Sequence, residues 1–226
     1  MAQAKMAQAM DPKEKIARRV AQEMRDGYYV NLGVGIPVMV ADYIPEGMEV
    51  VLEAENGMLG IGPYPYEDQV DPDLINAAKE PVTEIPGTSY FTSADSFTMI
   101  RGGHMDVTVL GGMEVDEKGN LANWTVPGKK LRGVGGAMDL VSGARRVIIA
   151  MEHTTKDGQP KIVKGCTLPL TGIEVVDLIV TELAVIEVTP QGLVLREVAP
   201  GVTPEAVQKV TEAKLRVAEN LKTISL

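Results

Sequence analysis

Three stretches of the 226-residue chain hold residue types and spacings that suit chemistry. In Glu55-Asn56-Gly57 a carboxylate follows the apolar run Val50-Val51-Leu52 and abuts a glycine loop, so it should emerge at the rim of a core. Pattern alone allows either a functional carboxylate or a solvated strand-end acid that anchors the loop. Glu53, Glu67 and Asp68 lie nearby, and spacing does not choose among them. In Gly33-Val34-Gly35-Ile36-Pro37 the glycines suit a tight strand-to-helix turn, or backbone amides at a helix N-terminus that face an anion. The third glycine position of a dinucleotide fingerprint holds Val38, so that motif is absent. In Gly133-Val134-Gly135-Gly136-Ala137-Met138-Asp139 the glycines allow either a nest of amides for an oxyanion or a close crossing of two backbones.

Other candidates carry less. His104 and His153 read as structural hydrogen-bonding histidines. Ser142-Gly143 lacks the flanks of a nucleophile elbow, and Cys166 has no adjacent base. Lys129-Lys130 and Arg145-Arg146 read as solvated charge.

These residues need elements to position them. Asp11-Pro12-Lys13-Glu14 predicts a helix start, with Asp as cap, Pro at the first turn and Gly27 as the stop. Strands are expected at 28–32, 48–55, 82–85, 106–110 and 146–151, and a β-hairpin from 183–189 and 193–198. Helices are expected after Pro37 to about Ile44, over 71–79, 93–101 and 174–181, and after Thr203-Pro204-Glu205. Residues 57–65 read as a loop. Strands alternating with helices predict an α/β fold with a mainly parallel sheet flanked by helices. No composition break divides the chain, so a single domain is expected over 13–226, after a disordered tail over 1–12.

Composition narrows the function. Apolar residues make up 45% and charged residues 23%, ordinary globular values. Acids outnumber bases 31 to 22, and a net charge of −9 argues against nucleic acid as a partner. No apolar run is long enough to span a bilayer, and residues 1–10 lack a secretory signal's apolar stretch, so a cytoplasmic protein is expected. One cysteine and two histidines exclude an internal disulfide and disfavour a His/Cys metal site, so no metal is expected.

The run Glu55-Asn56-Gly57-Met58-Leu59-Gly60-Ile61-Gly62-Pro63 resembles the Ser-Glu-Asn-Gly signature of the 3-oxoacid CoA-transferases, and the chain resembles their B (beta) subunit. Further matching stretches are 30–37, 73–80, 100–104, 119–124, 135–141 and 166–172, so the resemblance covers roughly residues 13–215. One departure is Ala54, where the signature usually has Ser.

The resemblance implies a three-layer fold shared with sugar-phosphate isomerases, and a heteromeric enzyme that moves CoA from an acyl-CoA to a free carboxylic acid. It implies Glu55 as nucleophile, Gly135 and Gly136 at the oxyanion, and Asn31, Gly33, Gly35, Asn56 and Lys79 in substrate and CoA binding. It implies a glutamyl-CoA thioester formed by ping-pong covalent catalysis. CoA is expected as a substrate, with no permanently bound cofactor. The expected partner is an A (alpha) subunit of similar fold that completes the site, commonly in a two-plus-two hetero-oligomer. Succinyl-CoA with acetoacetate is the leading substrate pair. 3-Oxoadipate or short-chain fatty acids are alternatives, as are an acyl-CoA hydrolase or a sugar-phosphate isomerase of the same fold.

Overall fold

The computed structural model describes residues 10–128 and 133–226. Residues 1–9 of the expected tail and the Lys129-Lys130 pair lie outside the described residues. Helix α1 (Pro12–Ala21) begins as its sequence predicts: the Asp11 side chain accepts from the Lys13 amide and Pro12 occupies the first turn. Strand β1 (Tyr28–Leu32) runs into a single 3₁₀ segment, Val38–Tyr43, where an α-helix is expected. Strand β2 (Val50–Ala54) is followed by β3 (Met58–Ile61) and β4 (Glu84–Tyr90). Helix α2 (Ser93–Arg101) carries a full capping box between Thr92 and Asp95. After it come β5 (Val107–Leu110), β6 (Glu114–Asp116), β7 (Leu121–Ala122) and α3 (Ala137–Gly143). The last third holds β8 (Val147–Ala150), β9 (Ile162–Val163), β10 (Leu178–Val180), β11 (Ala184–Thr189), β12 (Gly192–Val198), α4 (Pro204–Lys209) and β13 (Leu215–Thr223).

The main sheet has the order β13-β12-β11-β10-β8-β5-β1-β2-β3-β4. Its centre, β10 through β2, is parallel throughout. The hairpins β2–β3–β4 and β10–β11–β12 add antiparallel flanks. The small sheet β7-β6-β9 packs beside it. Because successive strand residues face opposite ways, the sheet buries two layers. On one face, Ile16, Val20 and Val40 pack against Val30, Val109, Ile148 and Val180. On the other, Ile100, Leu140 and Val207 pack against Leu110, Ile149, Ile179 and Leu195. Each such side chain contributes about 1.5–3 kcal/mol on burial. The result is a three-layer α/β fold with a mostly parallel, mixed sheet.

Two expected helices are absent. Over 71–79 the Asp71 carboxylate takes the Asp73 amide and Asn76 caps Glu80, so the short polar side chains bind their own backbone and turns form instead. The 174–181 stretch supplies β10, since Val175, Val176, Ile179 and Val180 are β-branched and the segment is buried between β8 and β11.

Candidate active site

Glu55 opens the tight turn of the β2–β3 hairpin, in which Ala54 pairs with Met58. Gly57 closes that turn at φ +122°, donating to the Ala54 carbonyl at 2.9 Å. A Cβ there would overlap the Phe91 carbonyl oxygen, so only glycine fits. The turn therefore fixes the glutamate at the C-terminal end of a central strand, where open α/β sheets place their ligands. Asn56 does not face the carboxylate; its side-chain amide donates to the Ile75 carbonyl at 2.8 Å and ties the 71–80 loop to the strand end. Lys79 sits in that loop at φ +66°, its amide bound to the Asn76 carbonyl. No hydrogen bond or ion pair joins Lys79 to Glu55 among the described residues.

Strand alternation puts Glu53 and Glu55 on one face, with Asn31 in register beside Glu53 on β1. The Asn31 amide nitrogen donates at 2.8 Å to Glu53 Oε2 and at 3.2 Å to Glu55 Oε2. Ser96 of α2 donates its hydroxyl to Glu53 Oε1 at 2.5 Å. Asn31 and Ser96 are fully buried, and Glu53 is 2% exposed. Burial pushes the Glu53 carboxyl above its ordinary range; the Ser96 and Asn31 hydrogen bonds pull it down and the Glu55 charge pushes it further up. Next in register on β5, the buried Thr108 hydroxyl and Asn31 Oδ1 have no partner among the described residues. Such orphans in the interior are uncommon and mark a polar floor beneath the site.

Gly136 caps the N-terminal end of α3 directly beside the glutamate. A Cβ on Gly136 would lie 3.5 Å from Glu55 Cγ and 2.9 Å from two ring carbons of Phe97. Gly135 takes φ +58° in a turn closed by the Ala137 amide, which donates to the Val134 carbonyl at 3.4 Å. Neither glycine amide has an acceptor among the described residues. By contrast, the Gly33 amide is occupied, donating to the Val109 carbonyl at 2.9 Å. A Cβ on Gly33 would press on Leu110 and Val109, so this glycine serves the close approach of β1 to β5. Gly35, at φ +90°, turns the chain into the 3₁₀ segment.

The structure thus brings Glu55, Asn31 and Gly136 together, and leaves Asn56, Gly33 and Lys79 in supporting or peripheral places. Ser96 and Phe97 are site residues that sequence reasoning misses. Glu53 is visible in the sequence as a neighbouring acid two residues before Glu55, and that period of two is the signal that places both on one face. Ala54 faces the other way, into an apolar cavity of about 440 Å³ lined by Leu32, Val38, Leu52 and Ile61. The hydroxyl it lacks would not point at Glu55. Among the described residues no group of three or more His, Cys, Asp or Glu is arranged to hold a metal ion. His153 is fully buried between the Thr181 and Thr211 hydroxyls, and burial keeps Cys166 a thiol by pushing its pKa up to about 12.

The model of the Coenzyme A transferase family matches residues 13–210. The chain belongs to this family. It is 52% identical to the B subunit of the probable succinyl-CoA:3-ketoacid coenzyme A transferase of Bacillus subtilis (strain 168), over 93% of this chain and 98% of the relative. It is 54% identical to the beta subunit of the acetate CoA-transferase of Escherichia coli (strain K12), over 95% of this chain and 98% of the relative. It also matches the human mitochondrial succinyl-CoA:3-ketoacid coenzyme A transferase 2 at 51% identity, over 94% of this chain but only 41% of that longer protein. Among solved structures, an acyl-CoA transferase apoenzyme from Escherichia coli O157:H7 superposes with a TM-score of 0.78 at 23% identity, covering 97% of this chain and 44% of that one. Glutaconate coenzyme A-transferase from Acidaminococcus fermentans gives 0.68 at 14% identity, covering 96% and 90%. Those two likenesses establish a shared fold. The chain is a CoA-transferase of the 3-oxoacid B-subunit type, and among the described residues no helix is long and apolar enough to cross a membrane.

Proposed function

We propose that this CoA-transferase chain carries the nucleophile of a ping-pong exchange, and that the nucleophile is Glu55. The observation that supports this most strongly is its setting: a carboxylate on a glycine-locked turn, held by the Asn31 amide, beside the N-terminal end of α3 at Gly136. A Glu55 oxygen attacks the thioester carbonyl of an acyl-CoA. The C–S bond breaks, CoA leaves as thiolate with the bonding pair, and a mixed anhydride remains. The thiolate then attacks the glutamyl carbonyl and expels the first acid as carboxylate, which leaves a glutamyl-CoA thioester. An acceptor carboxylate runs the same two steps in reverse.

Each addition places negative charge on a carbonyl oxygen. The amides of Gly135 and Gly136 are the donors proposed to receive it; one such donor is worth roughly 3 kcal/mol. Asn31, Gly33, Gly35, Asn56 and Lys79 are proposed to shape the acyl-CoA site, Asn31 by direct contact with Glu55 and Asn56 by holding the loop that carries Lys79. Water must be kept out, since it would hydrolyse the anhydride. A companion A subunit closing over the strand ends would do this, in keeping with relatives that are themselves named as B or beta subunits. Succinyl-CoA with acetoacetate is the proposed pair, with CoA as substrate and no resident cofactor. One relative is named for acetate, so a second acid class is tested alongside.

The test uses the chain coexpressed with its companion subunit and a panel of acyl-CoA donors and acid acceptors. Transfer that needs both a donor and an acceptor, and is lost in Glu55→Ala, supports the proposal. Thioester loss that proceeds without an acceptor identifies a hydrolase instead.

A further inference from the structure

We propose that Glu53 is a positioning residue for Glu55, acting through Asn31. The proposal rests on Glu55 being the nucleophile.

The geometry is a short relay. One nitrogen, Asn31 Nδ2, serves both carboxyls at once, at 2.8 Å to Glu53 and 3.2 Å to Glu55. The shorter bond goes to the buried carboxyl. Glu53 is 2% exposed and clamped from the other side by the Ser96 hydroxyl of α2. It therefore fixes the plane of the Asn31 amide and so the direction of the one side-chain donor that reaches the nucleophile. A buried carboxylate without a cationic partner is costly. The groups facing Glu53 from β1 and α2, Asn31 and Ser96, do not titrate, and among the described residues the charge that bears on it is that of Glu55. Burial and the Glu55 charge push its carboxyl above the ordinary range while the Ser96 and Asn31 hydrogen bonds pull the other way, so two neutral donors, not an ion pair, hold Glu53 in place.

The assembled enzyme is assayed in steady-state exchange, with thermal unfolding of the same samples. Glu53→Ala should lower kcat by about ten-fold, the worth of loosening the charge-assisted hydrogen bond from Asn31 to Glu55, with KM little changed. Glu53→Gln keeps the shape and an acceptor oxygen for Asn31 and should recover most of the lost kcat. A Glu53→Ala enzyme with wild-type kcat, or a Glu53→Gln enzyme no better than Glu53→Ala, would overturn the proposal. Mass analysis of acyl-CoA-loaded wild type separates the two claims. An adduct on Glu55 together with wild-type kcat in Glu53→Ala rejects the Glu53 role alone, and no adduct on Glu55 rejects the nucleophile and the relay with it.

Discussion

Gly136→Ala is the substitution whose consequences follow most closely from the packing. The new methyl would stand 2.9 Å from two ring carbons of Phe97, well inside ordinary contact, while Glu55 Cγ at 3.5 Å leaves it just enough room. Phe97 packs from α2 against the main core, so it cannot simply swing away. Either the ring or the first turn of α3 must retreat by roughly half an ångström, and overpacking of this kind costs about 1–3 kcal/mol. For a chain of this size that lowers Tm by about 2–4 °C per kcal/mol. Moving the α3 terminus also shifts the Gly135 and Gly136 amides relative to Glu55. A misplacement of about 1 Å costs roughly a hundred-fold, so kcat should fall by about ten-fold to a hundred-fold. Gly135→Ala is the contrast: open space surrounds its Cβ, and only the positive φ of +58° is penalised, at about 1–2 kcal/mol. The assay is acyl-CoA-to-acid exchange by the coexpressed subunits, with thermal unfolding of the same samples. Pairing Gly136→Ala with Phe97→Leu should restore part of both losses. A Gly136→Ala enzyme with wild-type kcat and Tm would refute the reasoning, as would a double variant no better than the single.

Other outcomes follow from the same geometry. Asn31→Ala should reduce kcat by about ten-fold to a hundred-fold in steady-state exchange, since it removes the amide shared by two carboxyls at 2.8 and 3.2 Å. Gly57→Ala should destabilise by at least about 2 kcal/mol in denaturant titration, because its φ of +122° and the Phe91 carbonyl both exclude a Cβ. Burial lowers the His153 pKa from 6.5 to about 4, so the fold favours neutral imidazole. That stabilisation is present above the unfolded pKa and is lost as pH falls from about 6.5 toward 4, by up to about 3 kcal/mol. Urea titrations should therefore show a shallower acid dependence for His153→Gln than for wild type.

The parts of the fold legible in the sequence are those set by local chemistry. The Asp11-Pro12 start of α1, α2 over 93–101, the β11–β12 hairpin and the Thr203 cap of α4 all carry their own signals. The misses are decided by neighbours. Met58–Ile61 reads as a glycine-rich loop, yet pairing with Glu53 and Ala54 makes it β3. Leu215–Thr223, within the stretch after Thr203 that reads as helical, becomes β13 by lying parallel to β12. The 174–181 stretch reads as a helix, but a slot between β8 and β11 selects its β-branched residues as a strand. In the site, Glu55 is marked by its turn and its signature. Ser96, forty-three residues from Glu53, carries no local mark, and only the packing of α2 over β2 reveals it.

One measurement bears most directly on the covalent chemistry. The assembled enzyme is incubated with acyl-CoA and no acceptor, treated with borohydride, digested and mapped by mass spectrometry. The expected result is a modified side chain at residue 55, borohydride-dependent inactivation in step with it, and its absence in Glu55→Ala. Modification at another residue, or full turnover with no modified residue at all, would contradict covalent transfer through Glu55.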